Sequence, residues 1–278
     1  MSSSTLTNAR DGTQTVLSLR GITKTFGPVA ALTDVDLDVP AGHVTALVGD
    51  NGAGKSTLAK ILSGVHTPDA GTITFESEEV EIPSPAAAQR LGIATVYQDL
   101  ALCENLNVIR NLFLGHELNP ARLDDVTMEV RSWELLRELH AKIPTVRVPV
   151  ASLSGGQRQT VAIARSLLWD PKLVILDEPT AALGVAQTAE VLNLIERLRN
   201  RGHAVIMISH NMADVMAVAD EVAVLRLGRN NGVFKVGTVS QEQIVAAITG
   251  ASDNAVSQRA ARRAGAASTQ IDSARSDS

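Results

Sequence analysis

Short apolar runs separated by turn-forming residues recur along the chain and predict a fold rich in β-strands. Residues 173–176 and 204–208 are continuously apolar, as expected of parallel strands that are covered on both faces. Residues 44–48 form a short β-rich run that is typical of a buried strand. A strand is predicted to start at residues 16–19, and further strands are predicted at residues 72–75, 93–97, 221–225 and 233–236.

A different pattern predicts an antiparallel strand near the N-terminus. From residue 32 to residue 39, apolar side chains come to alternate with aspartates, which indicates a strand with one exposed face. Residues 40–42, Pro-Ala-Gly, would turn this strand into the run at 44–48. Glycine-containing turns are also predicted at residues 69–71 and 228–232.

Helical spacing separates several of these strands. Helices are predicted at residues 56–62, 84–91, 185–200 and 241–248, and a further helix at 154–168 lies at the end of one long insert. That insert, at about 99–165, has helical spacing and few β-rich runs, with its clearest helix at 130–139. The prediction is an α/β fold with a mostly parallel sheet, an N-terminal antiparallel β subdomain and a helical insert.

The segments at both ends of the chain lack this periodicity. Residues 1–15 are polar and Ser/Thr-rich, and residues 251–278 are rich in Ala, Ser and Arg with almost no large apolar side chain. We expect both to be disordered, because neither has enough apolar surface to join a core. The predicted ordered domain is therefore 16–250.

Candidate chemistry is concentrated first at residues 49–57, called the phosphate loop below. They match G-x-x-x-x-G-K-[ST] between a predicted strand and helix, the context in which backbone N–H groups surround a phosphate. Lys55 would reach the β- and γ-phosphates, and Ser56 would ligate Mg²⁺. The alternative, a glycine-rich turn that binds nothing, is disfavoured by this order of elements. The predicted nucleotide-binding residues are Gly49, Asp50, Asn51, Gly52, Ala53, Gly54, Lys55, Ser56 and Thr57.

Two carboxylates follow the apolar strand at 173–176. In an open α/β sheet, the carboxyl ends of the strands face the ligand crevice. Asp177 is therefore predicted to act on Mg²⁺ through water, and Glu178 to polarise an attacking water. An acidic helix start before Pro179 is the alternative, and the phosphate loop argues against it.

Residues 153–157, Leu-Ser-Gly-Gly-Gln, open the predicted helix at 154–168 and form the third motif, the signature loop. Together with the other two motifs, it makes the chain resemble the ATP-binding subunit of an ABC transporter over roughly residues 16–250. The resemblance implies that Ser154, Gly155, Gly156 and Gln157 contact ATP bound to another subunit. It also implies that Gln98 senses Mg²⁺ and water, that His210 contacts the γ-phosphate, and that Phe26 stacks on adenine.

Residues 49–52, 92–102, 111–115 and 178–184 narrow the resemblance to the branch that imports simple sugars such as ribose, xylose and fructose. Gly184 is informative, since most ABC ATPases carry Asp there, whereas the sugar branch often has Gly. The coupling role of that aspartate is therefore not carried over to this chain. The branch often has two ATPase halves in one chain, and this sequence carries one phosphate loop.

Composition limits the possible functions. The chain has 45% hydrophobic and 20% charged residues, a net charge of −5 and a single cysteine, Cys103. These values argue against a disulfide scaffold, a cysteine-based zinc site and general nucleic-acid binding. No apolar run reaches the ~18 residues of a membrane span. We therefore expect a cytoplasmic protein, and the resemblance implies that it is peripheral on the inner face of the cell membrane through a permease.

The resemblance implies a set of partners and cofactors. These are ATP, Mg²⁺, a second ATP-binding subunit, most simply an identical copy, separate integral-membrane permease subunits and, indirectly, a sugar-binding protein. The groove near 98–115 would receive the permease. Two alternatives remain open at this point: a transporter for a non-sugar cargo, and a soluble ABC ATPase of another class, which would usually carry tandem cassettes, coiled coils or zinc modules.

Overall fold

The computed structural model describes residues 14–115 and 124–251. Most of the predicted N-terminal segment 1–15 and of the predicted tail 251–278 lies outside the described residues. The strands are β1 (Thr15–Phe26), β2 (Val29–Pro40), β3 (Val44–Val48), β4 (Ala70–Phe75), β5 (Glu78–Glu79), β6 (Ile93–Val96), β7 (Leu173–Asp177), β8 (Ala204–Ile208), β9 (Glu221–Arg226) and β10 (Arg229–Lys235).

The helices surround these strands. They are α1 (Lys55–Leu62), α2 (Pro85–Leu91), α3 (Val108–Phe113), α4 (Asp125–Glu138), α5 (Gly155–Leu167), α6 (Val185–Asn200), α7 (Met212–Val218) and α8 (Gln241–Thr249), with a 3₁₀ turn at Val150–Ser152. None of the helices in the described ranges combines the length and the apolarity that crossing a bilayer requires.

A six-stranded sheet forms the centre of the fold, in the order β10-β9-β3-β8-β7-β6. The strands β9, β3, β8, β7 and β6 run parallel, and β10 is antiparallel to β9. All residues of β3 and β8 are buried, which agrees with the expected two-sided coverage of parallel strands. The predicted α/β architecture is confirmed.

A second, antiparallel sheet has the order β2-β1-β4-β5. In β2, Val35, Leu37 and Val39 are buried, and they alternate with exposed or half-buried residues as the sequence pattern predicted. These side chains pack in one apolar cluster with α1 and one face of the central sheet, a cluster that includes Leu58 and Ile206. The antiparallel sheet therefore lies against the element that carries the phosphate loop.

Residues 99–165, predicted as a helical insert, contain α3, α4, the 3₁₀ turn and most of α5. In the described part of this segment, β-pairing is limited to one isolated bridge between Asn107 and Pro149. Buried residues of the segment, such as Phe113 and Leu136, share an apolar cluster with Leu194 of α6 and Val174 of β7. The segment thus packs on the second face of the central sheet through α5 and α6.

Two turns differ from the prediction. The predicted turn at 69–71 overlaps β4, which begins at Ala70, and Gly71 adopts a positive φ inside the strand, where a Cβ would lie 2.6 Å from the Gly21 carbonyl oxygen. The predicted turn at 228–232 is instead a two-residue connection, Leu227 and Gly228, and β10 begins at Arg229. Both residues of that connection have positive φ, as tight hairpins of this length require.

The misplaced second turn has a tertiary cause. Asn230 resembles a turn former, but its side chain pairs with β2: the Asp36 N–H donates to Asn230 Oδ1 at 2.8 Å, and Asn230 Nδ2 donates to the Asp36 carbonyl at 2.9 Å. This pairing keeps the residue in a strand despite its turn propensity. A further difference is that α7 was not predicted.

Candidate functional site

The phosphate loop connects the buried end of β3 to α1, and its glycines are required by the backbone around it. Gly49 has a φ of 152°, and a Cβ there would overlap the Leu225 carbonyl oxygen of β9. Gly54 has a φ of 105°, and a Cβ there would lie 2.8 Å from the Ala31 carbonyl oxygen. Neither position accepts an L side chain without a backbone shift. The loop is therefore held between β9 and β2.

Lys55, the first residue of α1, folds back over this loop. Its Nζ donates to the Gly49 carbonyl at 2.6 Å and to the Asp50 carbonyl at 2.9 Å. Burial lowers the pKa of the ammonium group, and the negative charges of Glu178, Asp50 and Asp177 oppose that shift. The lysine charge is thus placed inside the curl of the loop and within the field of the carboxylates that follow β7.

Asp177 and Glu178 stand at the carboxyl end of β7, as predicted. Burial raises the pKa of the Asp177 carboxyl, the neighbouring Glu178 raises it further, and Lys55 acts in the opposite direction. Two carboxylates and one buried ammonium group thus form a small charged cluster. This arrangement suits a site that binds a cation and a polyanion together.

The cluster extends to His210, which follows β8. Its Nδ1 lies 2.8 Å from Glu178 Oε1, and the imidazole is 73% exposed while the carboxylate is mostly covered. The Glu178 N–H donates to the Ile208 carbonyl at 2.9 Å, which holds the ends of β7 and β8 together. The structure therefore brings together Lys55, Asp177, Glu178 and His210, which are spread over more than half of the sequence.

The predicted Mg²⁺ ligands are a hydroxyl, an amide and a carboxylate. Ser56 lies in the first turn of α1 and is exposed, Gln98 is exposed just beyond β6, and Asp177 ends β7. In the described ranges, no group of three or more His, Cys, Asp and Glu side chains is arranged to hold a metal ion. Oxygen donors of this kind fit Mg²⁺, which commonly takes few protein ligands and completes its shell with water and substrate phosphates.

Phe26 ends β1, and its ring is 43% exposed. The ring of His66 meets it edge-on, with centroids 5.1 Å apart and an interplanar angle of 66°, and Lys24 Nζ lies 5.6 Å from the ring centre. The β1–β2 hairpin pairs Phe26 with Val29, close to the Ala31 backbone that borders the phosphate loop. An exposed aromatic ring on this flank suits stacking with a flat, apolar ligand surface.

The signature loop opens α5 and is held mainly by its own side chains. The Gln157 N–H donates to Ser154 Oγ at 3.3 Å, the Ser154 N–H donates to Gln157 Oε1 at 2.9 Å, and Gln157 Nε2 donates to the Lys142 carbonyl at 2.8 Å. This is a capping box at an exposed helix N-terminus. The hydrogen bonds of the loop's side chains thus stay within the helical segment and do not involve the phosphate loop.

The two signature glycines approach the segment that follows β7. A Cβ on Gly155 would lie 3.0 Å from Leu183 Cδ2, and a Cβ on Gly156 would lie 3.0 Å from Gln187 Cβ. Gly184, the position noted in the sequence, is the N-cap of α6 between these two neighbours. The signature loop is therefore in contact with the continuation of the Glu178 segment.

Sequence reasoning missed a buried pair next to this cluster, Thr180 and Asp214, which are hydrogen-bonded at 2.6 Å. It also missed Arg165 of α5, which donates to the Leu100 and Ala101 carbonyls at 2.8 Å each, just beyond Gln98. The sequence signal for this pair was that Thr180 lies two residues after Glu178 and Asp214 lies four residues after His210. Neither spacing is distinctive until the fold brings the two segments together.

A groove of about 370 Å³ lies between the central sheet and the helical segment. Its wall is formed by residues near the end of β6, by the segment that follows, and by α5. Residues that line it include Tyr97, Leu100, Ala101, Leu114, Arg165 and Trp169. Asp99, Leu100, Ala101 and Leu114 of this lining fall within the region near 98–115, which the resemblance assigns to a permease contact.

The sequence of this chain was compared with models of known protein families. Residues 32–181, more than half of the chain, match the family described as ABC transporter. The chain belongs to the ABC transporter family.

Individual relatives are similar over most of the described chain. The xylose/arabinose import ATP-binding protein XylG of Sulfolobus acidocaldarius is 45% identical over 77% of this chain and 86% of that protein. The fructose import ATP-binding protein FrcA of Rhizobium meliloti is 42% identical over 86% of this chain and 95% of that protein. A solved ABC transporter ATP-binding cassette in its ADP conformation has a TM-score of 0.73 and 26% identity, covering 85% of this chain and 96% of that chain.

Proposed function

We propose that this chain is the ATP-binding and ATP-hydrolysing subunit of an ABC importer for a simple sugar. The observation that carries the proposal is the convergence of Lys55, Asp177, Glu178 and His210 beside the phosphate loop. The names of the relatives, which import xylose or arabinose and fructose, support a sugar as the cargo. The Gly184 position agrees with that branch.

In this mechanism the chain mainly positions charge. The backbone N–H groups of the phosphate loop and the Lys55 ammonium bind the β- and γ-phosphates, while Phe26 stacks on the adenine. Ser56, Asp177 and Gln98 would hold Mg²⁺, which would supply positive charge to neutralise the phosphate oxygens. Glu178 accepts a hydrogen bond from the attacking water, and His210 stabilises charge on the γ-phosphate. Glu178 and His210 are in contact and lie on the same side of the site.

The signature loop serves the nucleotide bound to a second copy of the chain. Its exposed capped N-terminus presents the positive end of α5, which suits a γ-phosphate. Ser154, Gly155, Gly156 and Gln157 would cover that phosphate when two subunits close. Since the loop's side-chain bonds remain within its own helical segment, its phosphate-binding capacity is available to a partner.

Closure of the dimer would move separate integral-membrane permease subunits, which receive sugar from a sugar-binding protein. We assign the permease contact to the groove near Trp169 and Leu114. The chain would then be peripheral at the inner face of the membrane. Within it, we assign residues 16–250 to the ATPase domain, with a helical subdomain at about 99–165.

The substitution Glu178→Gln tests the catalytic assignment. It preserves shape but removes the charge that polarises water, so we expect turnover of Mg·ATP to fall roughly 10²- to 10⁴-fold while ATP affinity is kept. Steady-state phosphate release measures the first quantity, and a fluorescent ATP analogue measures the second. Glu196→Gln makes the same change on α6 at a carboxylate paired with Arg199 and should leave turnover unchanged. Wild-type turnover in Glu178→Gln would refute the assignment.

The cargo is tested with the permease and the sugar-binding protein encoded beside this chain. ATP hydrolysis by the reconstituted complex should rise when that binding protein carries ribose, xylose, arabinose or fructose. Stimulation by an amino acid or a metal ion, and by none of these sugars, would replace sugar import with another cargo.

A further inference from the structure

A buried hydrogen bond joins the two segments that carry Glu178 and His210. Thr180 Oγ1 donates to Asp214 Oδ2 at 2.6 Å, and the two residues are only 8% and 6% exposed. Thr180 lies two residues after Glu178, and Asp214 lies in the first turn of α7, four residues after His210. The bond therefore links the segments directly behind the candidate catalytic groups.

The direct contact between the two groups is a weak constraint by comparison. His210 is 73% exposed at its side chain, and a single contact to an exposed partner fixes little because water competes for it. A short bond to a buried carboxylate is charge-assisted and stronger. Removal of the Thr180 hydroxyl would also leave that carboxylate without this partner, and unsatisfied buried groups are costly.

The backbone around Thr180 needs such an anchor. Glu178 and Ala182, on either side, have φ values of 50° and 58°, in the left-handed region that side chains other than glycine rarely adopt. Two turn bonds hold this path, from the Ala181 N–H to the Glu178 carbonyl at 3.1 Å and from the Leu183 N–H to the Thr180 carbonyl at 3.3 Å. Strained backbone of this kind persists when its surroundings determine it, and the Thr180 hydroxyl contributes a side-chain bond at its centre.

The turn also leads to the signature loop. Leu183, at its far end, is the neighbour that a Cβ on Gly155 would meet at 3.0 Å. A change in the path of residues 178–183 would therefore shift Glu178 at one end and the surface beneath the signature loop at the other. The nucleotide contacts of the phosphate loop lie on other elements and need not change.

We propose that Thr180 and Asp214 are a positioning pair that sets the Glu178 carboxylate relative to His210 and the attacking water. The proposal rests on the ATPase function proposed above. Because the pair acts through Glu178 and contacts no substrate, its loss should lower kcat and leave nucleotide binding unchanged. If the pair served folding alone, its loss would lower stability but would not reduce kcat selectively while leaving nucleotide binding unchanged.

Thr180→Val tests the pair, because valine has nearly the same shape and no hydroxyl. We expect kcat to fall at least ~10-fold, the change that about 1.4 kcal/mol represents, with KM for ATP within about twofold of wild type. Thr180→Ser keeps the hydroxyl and should retain most of the activity. Thr45→Val is the matched control: Thr45 Oγ1 is buried on β3 without a hydrogen-bond partner among the described residues, so the same change should leave kcat unaltered.

A double-mutant cycle tests whether the pair acts through Glu178. In a Glu178→Gln background, Thr180→Val should reduce turnover little further, because residues that act as a unit are not additive. A wild-type kcat in Thr180→Val, a full additional loss in the double variant, or a rise in KM with unchanged kcat would each overturn the proposal.

Asp214→Asn decides the question if Thr180→Val does not fold. Its neutral oxygen can still accept from Thr180, but the bond loses its charge assistance. We expect kcat to fall about threefold at unchanged KM, and an unchanged kcat would overturn the pair. If the wild-type chain shows no ATP turnover that Lys55→Ala abolishes, the ATPase function is refuted and this inference with it. If the wild type does hydrolyse ATP but neither Thr180→Val nor Asp214→Asn lowers kcat, the inference alone is refuted.

Discussion

The phosphate loop and the signature loop are both short glycine-containing turns that begin a helix, but they are held in different ways. The phosphate loop is braced by other elements: the Gly228 N–H donates to the Ala53 carbonyl at 3.1 Å, and Gly49 and Gly54 lie against the backbones of β9 and β2. The signature loop is braced by its own Ser154 and Gln157 side chains.

This difference indicates how each loop is used. A loop held from behind by backbone groups can keep its N–H groups directed at a phosphate in every state of the protein. A loop that satisfies its own polar groups can move with the helical segment as a rigid unit and meet a ligand that arrives with another subunit. The first arrangement suits permanent binding and the second suits a contact made only on closure.

The largest expected effect comes from inactivating the signature loop in one chain and the phosphate loop in another. Ser154→Arg should bind ATP and fail to hydrolyse it, with turnover reduced at least ~10²-fold, because in the proposed closed dimer arginine would fill the space of the partner's γ-phosphate. Lys55→Ala should be equally inactive for the opposite reason. In a mixture of the two, one composite site has both loops intact, so part of the activity should return. Phosphate release from the mixture measures it.

The control for this mixture uses the same two substitutions in another distribution. A chain with both Ser154→Arg and Lys55→Ala, mixed with Lys55→Ala, has no intact phosphate loop and should recover nothing. Full activity of Ser154→Arg alone would show that the signature loop does not act on the partner's nucleotide.

A smaller effect tests how rigidly each loop is held. Gly49→Ala forces a Cβ into the Leu225 carbonyl at an unfavourable φ, so we expect the free energy of unfolding to fall by about 3 kcal/mol and nucleotide binding to be lost. Gly155→Ala meets only the flexible ends of the Leu183 and Gln187 side chains and should change stability by less than about 1 kcal/mol. Urea unfolding measures both, and equal losses would mean that the two loops are equally braced.

The smallest effect concerns the hairpin that supports the phosphate loop. Leu227, beside Gly228 at its tip, is exposed and has a φ of 48°, which costs a leucine roughly 1 kcal/mol. Leu227→Asn should raise the free energy of unfolding by about 1 kcal/mol without altering ATP affinity, because asparagine tolerates this conformation. Leu227→Ala removes the same exposed side chain and keeps the penalty, so a similar gain from alanine would contradict the explanation.

The sequence alone was sufficient for elements whose cause is local. The apolar runs at 173–176 and 204–208 are strands of a parallel sheet. Because such a sheet is covered on both faces, the side chains of a central strand are buried and mostly apolar. Ser84 before Pro85 predicted the start of α2, where its hydroxyl accepts from the Ala87 N–H. The motifs around Lys55, Glu178 and Ser154 could also be located from the sequence. Each consists of a few adjacent residues between a strand and a helix or at a helix start.

Tertiary structure decided the features whose partners are distant in sequence. Asn230 belongs to β10 because it pairs with Asp36, which lies 194 residues away, and Gly71 belongs to β4 because the residues on either side of it pair with Thr23 and Arg20 of β1. Thr180 and Asp214, 34 residues apart, meet only after β7 and β8 pair. In each case the local sequence is compatible with several conformations, and the hydrogen bond or close contact that selects one of them exists only in the folded chain.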